Sequence, residues 1–191
     1  MAVQVATVLA STVATLVVLQ LISVLLARAT QRLLGRRLWL VLFGWLGTIV
    51  HEGAHVAACL LCGHRVLRIR WFDPWEREGS LGSAEHGYDS RSVVHQMGNV
   101  VIGIAPLVVG AALIALAAWH LLGVRDFRAW SIAWRSVPLW QSALFVYLSV
   151  SIGSSMQLSR SDLRGTSRGA VLLSLLLFVL CFVIGVAQPR I

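Results

Sequence analysis

Apolar runs of about twenty residues or more leave this chain few folds to choose from. Such a run crosses the ~30 Å hydrocarbon core of a bilayer as a helix, whereas a helix on a soluble domain must show water a polar face. Runs of this kind are read at about Val3–Ala27, Leu38–Cys62, Val93–Leu122, Pro138–Leu158 and Gly169–Ala187. Charged residues make up only 13% of the chain, against roughly 25% in ordinary soluble domains. The expectation is an all-α, multi-pass integral membrane protein, one domain over residues 1–191 with five membrane helices. Ala27-Arg28-Ala29 looks like a signal-cleavage site, but the run before it has no basic start and is too long, so it is expected to remain as a membrane helix.

All 16 basic residues are arginine and outnumber the 8 acidic ones, for a net charge of +8. Charge alone would suggest nucleic acid. These arginines, however, lie in the short gaps between apolar runs, where topology and lipid headgroups account for them. No nucleic-acid partner is expected; the partner of the surface is the lipid bilayer. The three cysteines, Cys59, Cys62 and Cys181, sit in or beside apolar runs, so neither a disulfide framework nor a redox Cys-x-x-C is expected. Trp39, Trp71, Trp75, Trp130, Trp134 and Trp140 cluster near the ends of the runs and read as interfacial anchors.

Residues 63–92 differ in kind. Arg65, Arg68 and Arg70 alternate with Val66, Leu67, Ile69 and Trp71 before Asp73-Pro74 and Gly79, which predicts a short β-hairpin-like insertion near the membrane surface.

The chemistry is concentrated in the second run. An ionisable residue at mid-span costs about 2.5–3.5 kcal/mol on insertion scales, yet His51, Glu52 and His55 fall within five positions there. They form H-E-x-x-H, which on a helix stacks two imidazoles one turn apart, within reach of one zinc ion. Glu52 follows the first histidine directly and is placed to act as general base on a water molecule, so metal-assisted hydrolysis is the expected chemistry. The same three residues would also suit a proton relay.

A catalytic zinc takes three protein ligands, so a third must come from elsewhere. Counting crossings places His120 and Asp126 on the far side of the membrane. Asp162, Glu85, His86, Asp89 and His95 remain on the near side. Asp162 is foremost because the polar stretch 157–165 can bend back into the bundle, although its position also suits a helix N-cap. Asn99 is a candidate to hold a substrate carbonyl, and Ser154 and Ser155 to line a wet cavity beside the metal. Gly103 and Pro106 are expected to loosen the third helix and free backbone groups.

These residues resemble the site-2 protease family of intramembrane zinc metalloproteases, in particular its smaller bacterial relatives. His51, Glu52 and His55 match that family's H-E-x-x-H, residues 63–69 are similar to the start of its hairpin, and Ala105-Pro106 is similar to its glycine-proline helix signature. The resemblance covers about Leu38–Arg168. It implies one Zn²⁺ held by His51, His55 and Asp162, Glu52 as the catalytic group, a membrane-embedded or membrane-proximal peptide as substrate, and a bacterial-type cell membrane. The sequence departs from the family's third-ligand motif: Ser154 stands in place of its asparagine, Gln157 near its proline, and Leu163 after the aspartate. Eight arginines fall on each side of the predicted topology, while the resemblance implies a metal site facing the cytosol. Hydrolysis requires an extended peptide, and the hairpin at residues 64–72 is expected to offer an edge strand to hold it. The alternative expectation is a zinc-binding membrane protein without peptidase activity, serving as a scaffold, sensor or ion-handling protein.

Overall fold

The computed structural model describes residues 2–75, 81–124, 137–159 and 162, with 2–6 and 8–10 as backbone. Helix α1 spans Ala2–Leu34, α2 Arg36–Trp39 and α3 Trp45–Leu61, with a π-helical segment Leu40–Gly44 joining the last two. Strands β1 (Arg65–Arg70) and β2 (Ser83–Gly87) follow, then α4 (Val93–Leu122) and α5 (Leu139–Gly153). Three helical runs are long and apolar enough to cross a membrane: Ser11–Leu34, Arg36–Leu61 and Val93–Leu122. The protein is therefore a mostly helical membrane protein with one small hairpin. The fifth predicted helix, 169–187, lies outside the described residues.

Two predicted boundaries are corrected. The first helix was expected to stop near Ala27, yet it continues to Leu34 because Ala29, Gln31, Arg32 and Leu33 favour helix and the first breaker is Gly35. Arg28 and Arg32 thus ride on the helix, where long arginine side chains can reach headgroups from an apolar segment. The fourth helix was expected over 138–158 but ends at Gly153, where glycine and two serines give the helix little intrinsic support. At 15 residues, α5 covers roughly 22 Å, less than a full crossing. The α4 boundaries coincide with those expected, and Ser92 caps its start by accepting from the His95 N–H at 3.3 Å.

Small residues set the packing. Ala54, Ala58 and Cys59 of α3 meet Ile102 and Ala105 of α4, so the two backbones approach closely, as helices in lipid must when lipid is as apolar as leucine. A second cluster joins Leu107 of α4 to Ile152 and Met156 around the end of α5. Much of the outer surface stays apolar: Val17, Leu21, Leu25 and Val108 are all at least half exposed, which suits hydrocarbon rather than water. Trp39, read as an anchor, is instead buried at 3% exposure, while Trp71, Trp75 and Trp140 are exposed; Trp130 and Trp134 lie outside the described residues.

The turn out of α3 aims the hairpin back at the helix. Gly63 adopts φ 72°, and the His64 N–H reaches the Cys59 carbonyl at 2.9 Å while the Gly63 N–H reaches Leu60 at 3.2 Å. This is the Schellman pattern, which requires a left-handed residue that glycine supplies at no steric cost. The strands then pair antiparallel from Arg65↔Gly87 to Arg70↔Ser83, with a bulge at Leu67. Arg68 stands opposite Glu85, an opposite-charge cross-strand pair.

Candidate metal centre

His51 and His55 lie one turn apart on α3, with ring centroids 4.8 Å apart and planes at 78°. Each ring is held by a backbone carbonyl. The His51 Nδ1–H donates to the Ser155 carbonyl at 2.7 Å, and the His55 Nδ1–H donates to the Ile102 carbonyl at 2.9 Å. Because a carbonyl only accepts, both protons sit on Nδ1 and both Nε2 atoms present lone pairs.

Neither carbonyl is there by accident. In a regular helix the Ile102 carbonyl would accept from the N–H of residue 106, but residue 106 is a buried proline without one. The Ser155 carbonyl lies just past the end of α5, where helical carbonyls lack an intrahelical donor. The proline and the early helix end therefore create the two acceptors that fix the imidazoles. This is the usual way in which metal-binding histidines are oriented, through a hydrogen bond from the nitrogen that does not ligate.

The two Nε2 atoms stand 3.2 Å apart, and Asp162 brings Oδ1 to 3.4 Å from His55 Nε2 and Oδ2 to 4.0 Å from His51 Nε2. All three ligand atoms lie within 4.8 Å of one another. Lone pairs this close repel unless a cation sits among them. Two nitrogens bonded tetrahedrally to one zinc at about 2.05 Å would stand about 3.3 Å apart, so the donor set fits a metal ion in both chemistry and spacing. Among the described residues, these three form the one group of histidine, cysteine and carboxylate side chains able to do so.

Asp162 is positioned by Ser159. The Ser159 N–H donates to Asp162 Oδ2 at 2.7 Å, and the Asp162 N–H donates to Ser159 Oγ at 3.1 Å, the reciprocal pairing of a capping box. Burial disfavours the charged carboxyl, and the hydrogen bonds from Ser159 favour it.

Glu52, 6% exposed, borders a cavity of about 470 Å³ together with His51, His55, Asn99, Gly103 and Asp162. The opposite wall is the hairpin, from Gly82 through Ser83, Ala84, Glu85 and His86 to Tyr88. It comes close because Gly82 lacks a side chain: a Cβ there would lie 2.8 Å from both Glu52 Cγ and Thr48 Cγ2. The strand beside the cavity is β2; the edge strand had been expected at residues 64–72, in β1.

The other predicted residues divide by location. Asn99 is buried and lines the cavity, with His86 Nε2 donating to its Oδ1 at 3.2 Å. Ser154 and Ser155 line a smaller cavity of about 160 Å³, bordered also by Trp39, His51 and Glu52. The Ser154 hydroxyl donates to the Ser151 carbonyl at 3.4 Å, and Ser155 enters the site through its carbonyl. Of the alternative third ligands, Glu85 is exposed on β2, His86 holds Asn99, Asp89 Oδ1 accepts from the Arg91 N–H at 2.9 Å, and His95 Nδ1 accepts from the Asp89 N–H at 3.3 Å. None of them joins the His51–His55 group. Ser159 and Gly82 were not read from the sequence as site residues; the S-x-x-D spacing to Asp162 was the available signal for the first.

Fold and site together define a membrane protein with a His–His–Asp group, His55 buried and the other two half-buried, suited to a metal ion and with a carboxyl beside it. Comparison with known protein families, curated proteins and solved structures finds no match.

Proposed function

We propose that this protein is an intramembrane zinc endopeptidase, a multi-pass protein of a bacterial-type cell membrane that hydrolyses peptide bonds of membrane-embedded or membrane-proximal substrates. The observation carrying this reading is the convergence of two Nδ1-tethered imidazoles and Asp162 on one point, with Glu52 bordering the same cavity. His51, His55 and Asp162 would hold the ion. Zinc bound there would supply Lewis-acid chemistry, polarising a carbonyl and lowering the pKa of water from 15.7 toward about 7.

The chain's own groups do the rest. Glu52 accepts a proton from the attacking water as the new C–O bond forms, then returns it to the amine nitrogen as the C–N bond breaks. Asn99 offers hydrogen bonding to the substrate carbonyl. The substrate must be extended at the cleaved bond, and a helical segment in lipid has to unwind first. Among the described residues β2 pairs on one side only, with β1, so its other edge can receive an extended peptide along the cavity.

The test is Glu52→Gln in protein reconstituted in liposomes with a panel of single-span peptides bearing Gly or Pro in the span. A peptidase loses about 10²–10⁴-fold in turnover while keeping its metal. A zinc-binding scaffold or sensor keeps metal and cellular function alike after that substitution. A proton relay through His51, Glu52 and His55 contains no stoichiometric metal in the wild type.

A further inference from the structure

The hairpin does more than wall the cavity, because it carries a chain of rings that ends on Asn99. His86 of β2 donates from Nε2 to Asn99 Oδ1 at 3.2 Å. Its ring lies 5.1 Å from that of His64, which stacks on Tyr88 at 5.1 Å and 17°. His64 is 4% exposed, and its Nε2–H donates to the His95 carbonyl at 3.1 Å in the first turn of α4. The ring of His86 is thus packed against a residue anchored to the same helix that carries Asn99.

A free asparagine carboxamide can turn over, exchanging a donor NH₂ for an acceptor oxygen. The oxygen here faces the proton-bearing Nε2 of His86. The NH₂ end is thereby committed as the group that Asn99 offers to a ligand in the cavity it lines. A donor is what a substrate carbonyl requires, and still more so as that oxygen gains negative charge; a preset donor needs no reorientation at that moment.

The geometry points to His86 as a positioning residue: it locks Asn99 with its NH₂ group toward the cavity, where it donates to the carbonyl of the peptide being cleaved. This rests on the endopeptidase reading. His86 acts through Asn99.

The experiment measures binding of a peptidyl hydroxamate, a carbonyl-bearing metal-directed probe, to the full-length protein in detergent, together with zinc content and thermal stability. His86→Leu and Asn99→Leu should each weaken the probe about tenfold. The double variant should be no weaker than either single one, since His86 has nothing to position once Asn99 is gone. His86→Gln, which returns an amide N–H near the Nε2 position, should restore binding to within about threefold. Zinc content stays at the wild-type level throughout, which a merely structural role of His86 would not guarantee. Additive losses, no rescue by Gln, or unchanged affinity in a zinc-loaded His86→Leu variant would each overturn the inference alone. A wild-type protein that holds no zinc overturns the endopeptidase reading beneath it.

Discussion

Pro106 and His55 are coupled through one atom: the proline withholds an N–H from the Ile102 carbonyl, and the His55 Nδ1–H takes that carbonyl at 2.9 Å. A residue usually read as a helix defect thus decides which nitrogen of a neighbouring imidazole is free to bind a metal. Pro106→Ala should return a helical donor to Ile102 and leave the helix intact. His55 would then share its acceptor, and zinc affinity should fall about 10–100-fold, the range for losing a ligand's outer hydrogen bond. Competition with a chromogenic chelator measures it; unchanged affinity would mean that packing alone orients the ring.

Gly82 and Glu52 make a second dependence. Gly82→Ala places a methyl group 2.8 Å from Glu52 Cγ and Thr48 Cγ2 and 3.0 Å from the Arg70 carbonyl. The first two neighbours are side chains that can shift, but the third is backbone of the paired strand. The hairpin must lift from α3, at a cost of about 1–3 kcal/mol. The expected outcome is a lower unfolding midpoint, with turnover reduced more than zinc content because the added methyl group meets Glu52 and Thr48. Equal loss of metal and turnover would contradict that placement.

Acid should loosen the hairpin. Burial, and then the neighbouring His86 and His95, disfavour a charged His64 and lower its pKa from the ordinary 6.5, with the His95 carbonyl acting in the opposite sense. In the unfolded chain the ring protonates near 6.5, so the folded state gives up stability as pH falls through that value toward the lower folded one, and keeps it fully above. Unfolding midpoints of wild type and His64→Phe, compared between about pH 8 and pH 5, should diverge less in acid than at neutral pH. A difference constant with pH would show that His64 does not titrate with folding.

Much of this site could be read from the sequence, and the remainder could not for a definite reason. The apolar runs, the hairpin and H-E-x-x-H are local patterns, since the helical period alone brings His51 and His55 together. That Pro106 would free a carbonyl was equally local. Which side chain would claim it was not, because His55 lies 47 residues away. Ser155 meets His51 across 104 residues, and only where α5 stops short of its expected end. Helix ends in apolar sequence carry weak signals, so the boundary error and the missed role of Ser155 are one error. That the cavity is lined from β2 and not from residues 64–72 was not local either, since it depends on how the hairpin folds back on α3.

Removing the aspartate separates holding from orienting. Asp162→Asn keeps the volume and can keep a bond from the Ser159 N–H, but it loses the charge that faces the two lone pairs. Zinc should bind at least tenfold more weakly, with α3 packing unchanged by circular dichroism and unfolding midpoint in the metal-free protein. Full zinc retention would assign the third ligand elsewhere.

The most direct measurement is metal analysis of the purified wild-type protein, followed by anomalous scattering at the zinc edge. The expected result is one zinc per chain, with its density between His51 Nε2, His55 Nε2 and the Asp162 carboxylate. A protein prepared with zinc present that holds none, or that holds it on other side chains, would contradict the central claim.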